Sequence, residues 1–343
     1  MVKATIKKIA STLMIAGVAI TVASTTMAAG KISGKTERMV RSDYVTAVEG
    51  KTVAYVPISL GLPLSDYWMY GIQTSAEAAG MKFVVKDPAW KVDAMTQAIS
   101  ALISDKVDYL VVQNPDVQVL AKLLKKAEEN GTHVIQLNMA SNYRSSGFVG
   151  VDWVSHGEEI GQDIVKECGT GSGKSGKVAI VQGELTAAAN VWFVAGLKKA
   201  LGEDSAISIV NDQAAQWDAT KAHDITAAVL QQNPDLCATA GVWGIMMLGS
   251  GQAVKEAGLS DQVLVYGSGS NSRPVCDALE SGVLHKHFSY DSILQGRDVV
   301  NAIQAIAQTG LEPGEKPFAL YSPIMIQDSK TVKATDCHDL IAK

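Results

Sequence analysis

QAISALISDKVDYLVVQNPDVQVLAKLLKKAEENGTHVIQL, residues 97–137, decides the fold. Its first residues continue a stripe of Met95, Ala98, Ile99 and Leu102 within Asp93–Ser104, the spacing of one helix face. Tyr109–Val112 is a short apolar run closed by the Asn114-Pro115 turn, which reads as a strand. Val117–Asn130 returns to helical spacing and stops at Gly131. His133–Leu137 is the next strand. A strand, a crossover helix and a second strand pair in parallel, so the segment is one unit of a doubly wound α/β sheet.

The same alternation extends in both directions. Upstream, Thr52–Ile58 reads as a strand, Tyr67–Ala79 as a helix ending at Gly80, and Lys82–Val85 as a strand. Downstream the pattern restarts. Helices at Ser155–Cys168, Trp192–Leu201 and Ala219–Gln232 alternate with strands at Lys177–Val181, Ile207–Val210, Ala238–Val242 and Val263–Tyr266. A long helix at Leu294–Gln308 and a strand at Ala319–Ile326 remain, and they suit a chain that returns to complete earlier lobes. Two α/β units in tandem are therefore expected, with the ligand site at the carboxyl ends of the strands, in the cleft between lobes.

The N-terminus adds a compartment. Lys3, Lys7 and Lys8 precede an uncharged apolar run at Ile9–Ser24, followed by Thr26-Met27-Ala28, the pattern of a cleaved secretory signal peptide. The run is shorter than the ~20 residues that cross a bilayer. No cysteine stands directly after Ala28, which argues against a lipid anchor. Cleavage leaves about 315 residues, enough for two domains. A net charge of −5 without a basic stripe speaks against nucleic acid, and a 47% hydrophobic content speaks against disorder. Four cysteines remain in an oxidising compartment. Cys168 and Cys237 each precede a strand of one sheet and are the favoured pair, which leaves Cys276 with Cys337; buried free thiols are the alternative.

Several motifs resemble catalytic or nucleotide sites without their context. Cys168-Gly-Thr-Gly-Ser-Gly-Lys174-Ser175 is one residue from a P-loop, but a helix precedes it and a strand follows, the reverse of what phosphate binding needs. Gly267-Ser-Gly269-Ser-Asn-Ser272 lacks the third glycine of a dinucleotide fingerprint and reads as cleft lining. His285 and His287 share a strand face, but two ligands do not make a metal site without a third. There is no HExxH or GxSxG, so no catalytic residue, metal or cofactor is expected.

Residues 97–137 also resemble the ribose-type periplasmic sugar-binding proteins, through the helix, Asp108-Tyr-Leu-Val-Val-Gln-Asn-Pro115, the second helix and the strand entering the cleft. Gly147-Phe-Val-Gly-Val-Asp152 resembles the crossing into a second lobe, and Gly176–Gly183 that lobe's first strand. Gln216-Trp-Asp-Ala-Thr-Lys221 resembles the family's aromatic-Asp-x-x-Lys turn, and Gln295-Gly-Arg297 the start of its returning helix. The resemblance covers nearly the whole mature chain. It implies a type I periplasmic binding fold, in which two doubly wound parallel-sheet lobes are joined by a three-strand hinge. The expected division is a signal peptide at 1–28 and an extension at 29–50. The first lobe takes 51–139 with 291–319, and the second takes 140–290 with 320–343.

Departures from the family fall at the cleft. Where it carries an Asp-Arg pair this chain has Asn138-Met139; a family arginine falls near Asn190 or Val191, an Asn on Trp243, an Asp on Gly269, and a Gln on Tyr290, followed by Asp291. The first-lobe aromatic pair falls at Tyr67-Trp68. The expected site is therefore Tyr67, Trp68, Trp90, Asn138, Asn190, Trp217, Trp243, Gly269, Tyr290 and Asp291, rich in aromatics and poor in charge. Indole faces stack on the C–H faces of a sugar or polyol, and amides bond its hydroxyls. The same aromatics with Asp291 suit a quaternary ammonium or aromatic small molecule. The resemblance implies a periplasmic monomer that closes over a neutral sugar or polyol and delivers it to an inner-membrane ABC permease, with a chemoreceptor as a second partner. A sensory accessory protein is an alternative that sequence does not separate. A lac-repressor-type regulator needs a helix-turn-helix where the signal peptide stands, and a hydrolase needs a nucleophile–base pair that is missing.

Overall fold

The computed structural model describes residues 35–339; the expected signal peptide and its cleavage site lie outside them. Helix α1 (Lys35–Val48) occupies most of the expected extension and ends on the fully buried Val48. From there β1 (Thr52–Val56), α2 (Pro63–Ala78), β2 (Lys82–Val85), α3 (Val92–Ser104), β3 (Tyr109–Val112), α4 (Ala121–Glu129), β4 (His133–Leu137) and β5 (Gly147–Gly150) build the first lobe. The second lobe runs α5 (Trp153–Cys168), β6 (Lys177–Gln182), α6 (Ala188–Leu201), β7 (Ser208–Ala214), α7 (Ala219–Gln232), β8 (Ala238–Ala240), α8 (Gly244–Glu256), β9 (Leu264–Gly269), α9 (Arg273–Glu280) and β10 (Lys286–Ser289). The chain then returns through α10 (Ser292–Thr309), β11 (Phe318–Tyr321) and β12 (Met325–Gln327).

Each lobe holds a six-stranded sheet, and the two orders correspond: β11-β5-β4-β3-β1-β2 and β12-β10-β9-β8-β6-β7. All pairings are parallel except β10 with β12. The inner strands are buried along most of their length, and Tyr109–Val112 along all of it, because helices cover both faces of a doubly wound sheet. The chain crosses between sheets three times, after β5, after β10 and between β11 and β12, which forms the three-strand hinge. β5 and β11 both pair within the first sheet, so that lobe's strands reach Gly150 and Tyr321 rather than ending at 139 and 319.

Local chemistry moved several boundaries. The helix expected from Val117 starts only at Ala121, because the Asp116 carboxylate accepts the amides of Gln118 and Val119 and holds a turn there. The single strand expected at Ala319–Ile326 splits at Ser322–Ile324, where Pro323 has no N–H for a ladder, and each half joins a different sheet. Helix α8 was not anticipated, since Gly244, Gly249 and Gly251 dilute its apolar stripe. A Cβ on Gly249 would overlap the Ala219 carbonyl, so this glycine permits α7 and α8 to pack together. Both cysteine pairs are bonded: Cys168–Cys237 with Cα atoms 6.0 Å apart, and Cys276–Cys337 at 6.1 Å.

Candidate functional site

A cleft opens at the carboxyl ends of both sheets. From the first lobe it takes Ile58 beyond β1, Leu62, Leu64 and Ser65 at the start of α2, Trp90 beyond β2, Gln113 beyond β3, and Asn138-Met139 beyond β4. From the second it takes Ala189 on α6, Trp217 beyond β7, Val242-Trp243 beyond β8, and Tyr290 beyond β10. Among the described residues, no Asp, Glu, Lys, Arg or His lines it. Every contributing segment leaves a strand end or enters a helix start, where a parallel sheet leaves side chains free of ladder neighbours.

Three lining residues sit in the left-handed backbone region: Trp90 (φ 67°), Asn138 (φ 60°) and Trp217 (φ 64°). Asn tolerates this conformation, whereas a tryptophan there costs about 1–2 kcal/mol. Each tryptophan follows a second left-handed residue, Ala89 and Gln216 respectively. Both pairs leave corresponding strands, β2 and β7, each at an edge of its sheet beside that lobe's first strand. The two lobes thus present one tryptophan each by the same backbone device. In the first, the Asp87 carboxylate accepts the amides of Leu60 and Ala89, and the Trp90 amide donates to the Ile58 carbonyl at 3.0 Å. In the second, Asp218 caps α7 by accepting the Lys221 amide at 2.8 Å, while Lys221 Nζ donates to Gln216 Oε1 at 2.6 Å. The aromatic-Asp-x-x-Lys pattern is therefore a turn that locks Trp217 outward.

The Trp217 and Trp243 rings meet edge to face, 6.3 Å apart at 78°. Gly183 lies against the Trp217 ring, where a Cβ would overlap it, and Gly269 (φ 130°) lies beside the Trp243 indole. At the cleft floor Asn138 Nδ2 donates to the Tyr290 hydroxyl oxygen at 3.1 Å, a bond from one lobe to the other. Trp153 Nε1 donates to the Asn138 carbonyl at 2.7 Å, and its ring meets Tyr290 edge-on. Burial raises the Tyr290 phenol pKa well above its ordinary value, so it stays neutral, and Asn138 Oδ1 is buried without a partner. The lobes touch again where the Val117 amide donates to the Thr186 carbonyl at 3.1 Å.

Trp90, Asn138, Trp217, Trp243 and Tyr290 of the expected set thus converge on the cleft. The other five lie behind it or away from it. Asn190 accepts the Gly183 amide at 2.7 Å and donates to Gln182, so it holds the strand end beneath Trp217. Gly269 backs Trp243. Asp291 caps α10 through the Leu294 amide at 2.9 Å. Trp68 is fully buried and donates to Gln295 on α10 at 2.7 Å. The Tyr67 hydroxyl donates to the His338 and Asp339 carbonyls at the C-terminal end of the described chain, and burial pushes its pKa up to about 12. Among the lining residues that sequence reasoning missed are Ile58, Gln113 and Val242. Their signal was position alone, since each stands one or two residues past a strand's carboxyl end. His285 and His287 face no third ligand, and no group of metal-binding side chains occurs among the described residues.

The geometry agrees with known proteins. A D-ribose/D-allose-binding protein of Pseudomonas aeruginosa is 28% identical over 176 residues, covering 49% of this chain and 54% of the relative. A D-allose-binding periplasmic protein of Escherichia coli is 31% identical over 151 residues, covering 42% and 48%. The chain thus spans about half the length of these relatives. Among solved structures, an ABC transporter solute-binding protein from Burkholderia graminis in complex with D-arabinose superposes with a TM-score of 0.74 at 21% identity, over 82% of this chain and 96% of that one. At this identity the likeness speaks for the fold. The model of the periplasmic binding protein domain matches residues 53–312, and the chain belongs to that family.

Proposed function

We propose that this protein is the solute-binding component of an ABC importer. It captures a small neutral sugar or polyol by closing its lobes, performs no chemistry on it, and presents the closed form to an inner-membrane permease. The observation that carries this reading is a cleft at the junction of two lobes, lined by three tryptophans and by amide and hydroxyl groups, without a charged side chain. A charge-free lining matches a neutral ligand, because a buried ion without a partner is costly. Lobe closure is driven by the ligand's differential affinity for the closed state. Relatives named for ribose and allose binding support the ligand class, and the N-terminal sequence supports export to the periplasm.

Thermal unfolding of the mature protein with sugars, polyols and quaternary amines tests the proposal. Binding to the native state stabilises it by RT ln(1 + [L]/Kd), about 2.7 kcal/mol at a hundredfold excess over Kd. A raised midpoint with at least one sugar or polyol is expected. The edge-to-face tryptophan pair also suits a quaternary ammonium, though no carboxylate lines the cleft beside it. A shift with quaternary amines alone would overturn the sugar reading.

A further inference from the structure

The cleft has few free polar groups for its size. Gln113 Oε1 is occupied by the Ile58 amide, and Asn138 Nδ2 by Tyr290. Asn138 Oδ1 is buried without a partner and Ser65 Oγ has the Tyr55 hydroxyl beside it; with the Gln113 amide N–H and the Tyr290 O–H they are what the floor offers a ligand besides indole edges. Ile58, Leu62, Leu64, Met139, Ala189 and Val242 occupy the rest of the wall. A fully hydroxylated hexose carries oxygen on every carbon. Closed into this cleft it would bury hydroxyls against leucine and methionine side chains, and each stranded hydroxyl costs about 5- to 150-fold in affinity. A methyl or methylene at the same place is matched to the wall instead.

We infer that the cleft selects a hydroxyl-poor neutral ring: a deoxy or O-methyl sugar or cyclitol, whose polar edge pairs with Asn138, Gln113 and Ser65 and whose apolar edge lies on Met139, Leu62 and Leu64. This rests on the proposed sugar or polyol reading and narrows it. Met139 is the specificity residue. It follows Asn138 in the same turn, is almost wholly buried, and lines the cleft next to the residue that carries the free amide oxygen.

Matched pairs differing by one group test the inference by titration calorimetry: D-galactose with D-fucose, L-mannose with L-rhamnose, D-glucose with its 3-O-methyl ether, and myo-inositol with a monomethyl ether. The deoxy or methylated member is expected to bind at least about 10-fold tighter in one or more pairs, and the reverse order in none. Met139→Gln, of similar length, is expected to keep the fold by circular dichroism while narrowing or reversing that preference. Hydroxylated members that bind as tightly as their partners, or a preference unmoved by Met139→Gln in a folded protein, would overturn this inference and leave the sugar reading standing. Silence from all pairs together with binding of a quaternary amine would overturn both.

Discussion

At the scale of single residues, the cleft depends on a few side chains held in conformations they would not choose alone. Trp217 pays backbone strain to face the ligand space, and Gly183 leaves the room its ring needs. Trp217→Ala is expected to weaken ligand binding by at least about 10-fold, or 1.4 kcal/mol, in a protein that still folds with a lowered unfolding midpoint, because the partly buried ring lines the cleft as well as packing against the core. An unfolded variant would show that the ring holds the lobe together instead. Gly183→Ala tests the same ring from behind. Its methyl group overlaps the indole, so the ring shifts and affinity falls, with a stability cost of about 1–3 kcal/mol. Unchanged tryptophan fluorescence and affinity in Gly183→Ala would contradict this packing.

At the scale of elements, helix termini and turns position the site. Asp152, Asp218 and Asp291 cap α5, α7 and α10 with their carboxylates, and α5 and α10 each begin where the chain has just crossed between lobes. Asp291 lies next to Tyr290 in sequence, yet its carboxylate serves the Leu294 amide. Asp291→Ala is therefore expected to cost about 0.5–2 kcal/mol of stability, read from the denaturant midpoint, and to leave ligand affinity in the folded protein unchanged. A large loss of affinity at intact stability would assign the carboxylate to the ligand. α2 and α10 show why the cap matters: Gly71 of α2 and Gly296 of α10 let the two backbones approach to within contact, and Trp68 bonds Gln295 across the same seam.

At the scale of the whole molecule, the second lobe carries a buried pair that links stability to pH. His156 on α5 lies among the rings of Trp153, Phe193 and Phe288, and His287 on β10 lies against Gly244. Burial, with the proximity of His287 adding to it, lowers the His156 pKa to about 3, and burial lowers that of His287 to about 4. Both are neutral in the folded state and take up protons in the unfolded one near the ordinary value. Stability is therefore full above about pH 6.5 and declines below it until the folded values are reached. Two such groups give a slope of about 2.7 kcal/mol per pH unit between roughly pH 6 and 4. Urea midpoints at several pH values measure this slope, and His156→Leu is expected to make it about half as steep. Equal slopes in the two proteins would remove His156 from the account.

The sequence by itself determined the architecture and one side of the site. Buried parallel strands demand continuous apolar runs such as Tyr109–Val112, and their alternation with helices leaves a doubly wound sheet as the solution. The placement of Cys168 and Cys237 before strands of one sheet pointed to a bridge that the fold contains, and Trp217-Asp-x-x-Lys221 is a local turn whose partners lie within five residues. Such features were readable because the interactions that make them are short in sequence or periodic. Only the tertiary structure decided which aromatics face the cleft. Trp68 and Trp90 look alike in the sequence, but α10 arrives from more than two hundred residues downstream to cover Trp68, while Trp90 remains half exposed in the cleft. Periodicity tells which face of an element is apolar, but not which distant element will pack on that face, and that packing separates a core tryptophan from one that meets a ligand.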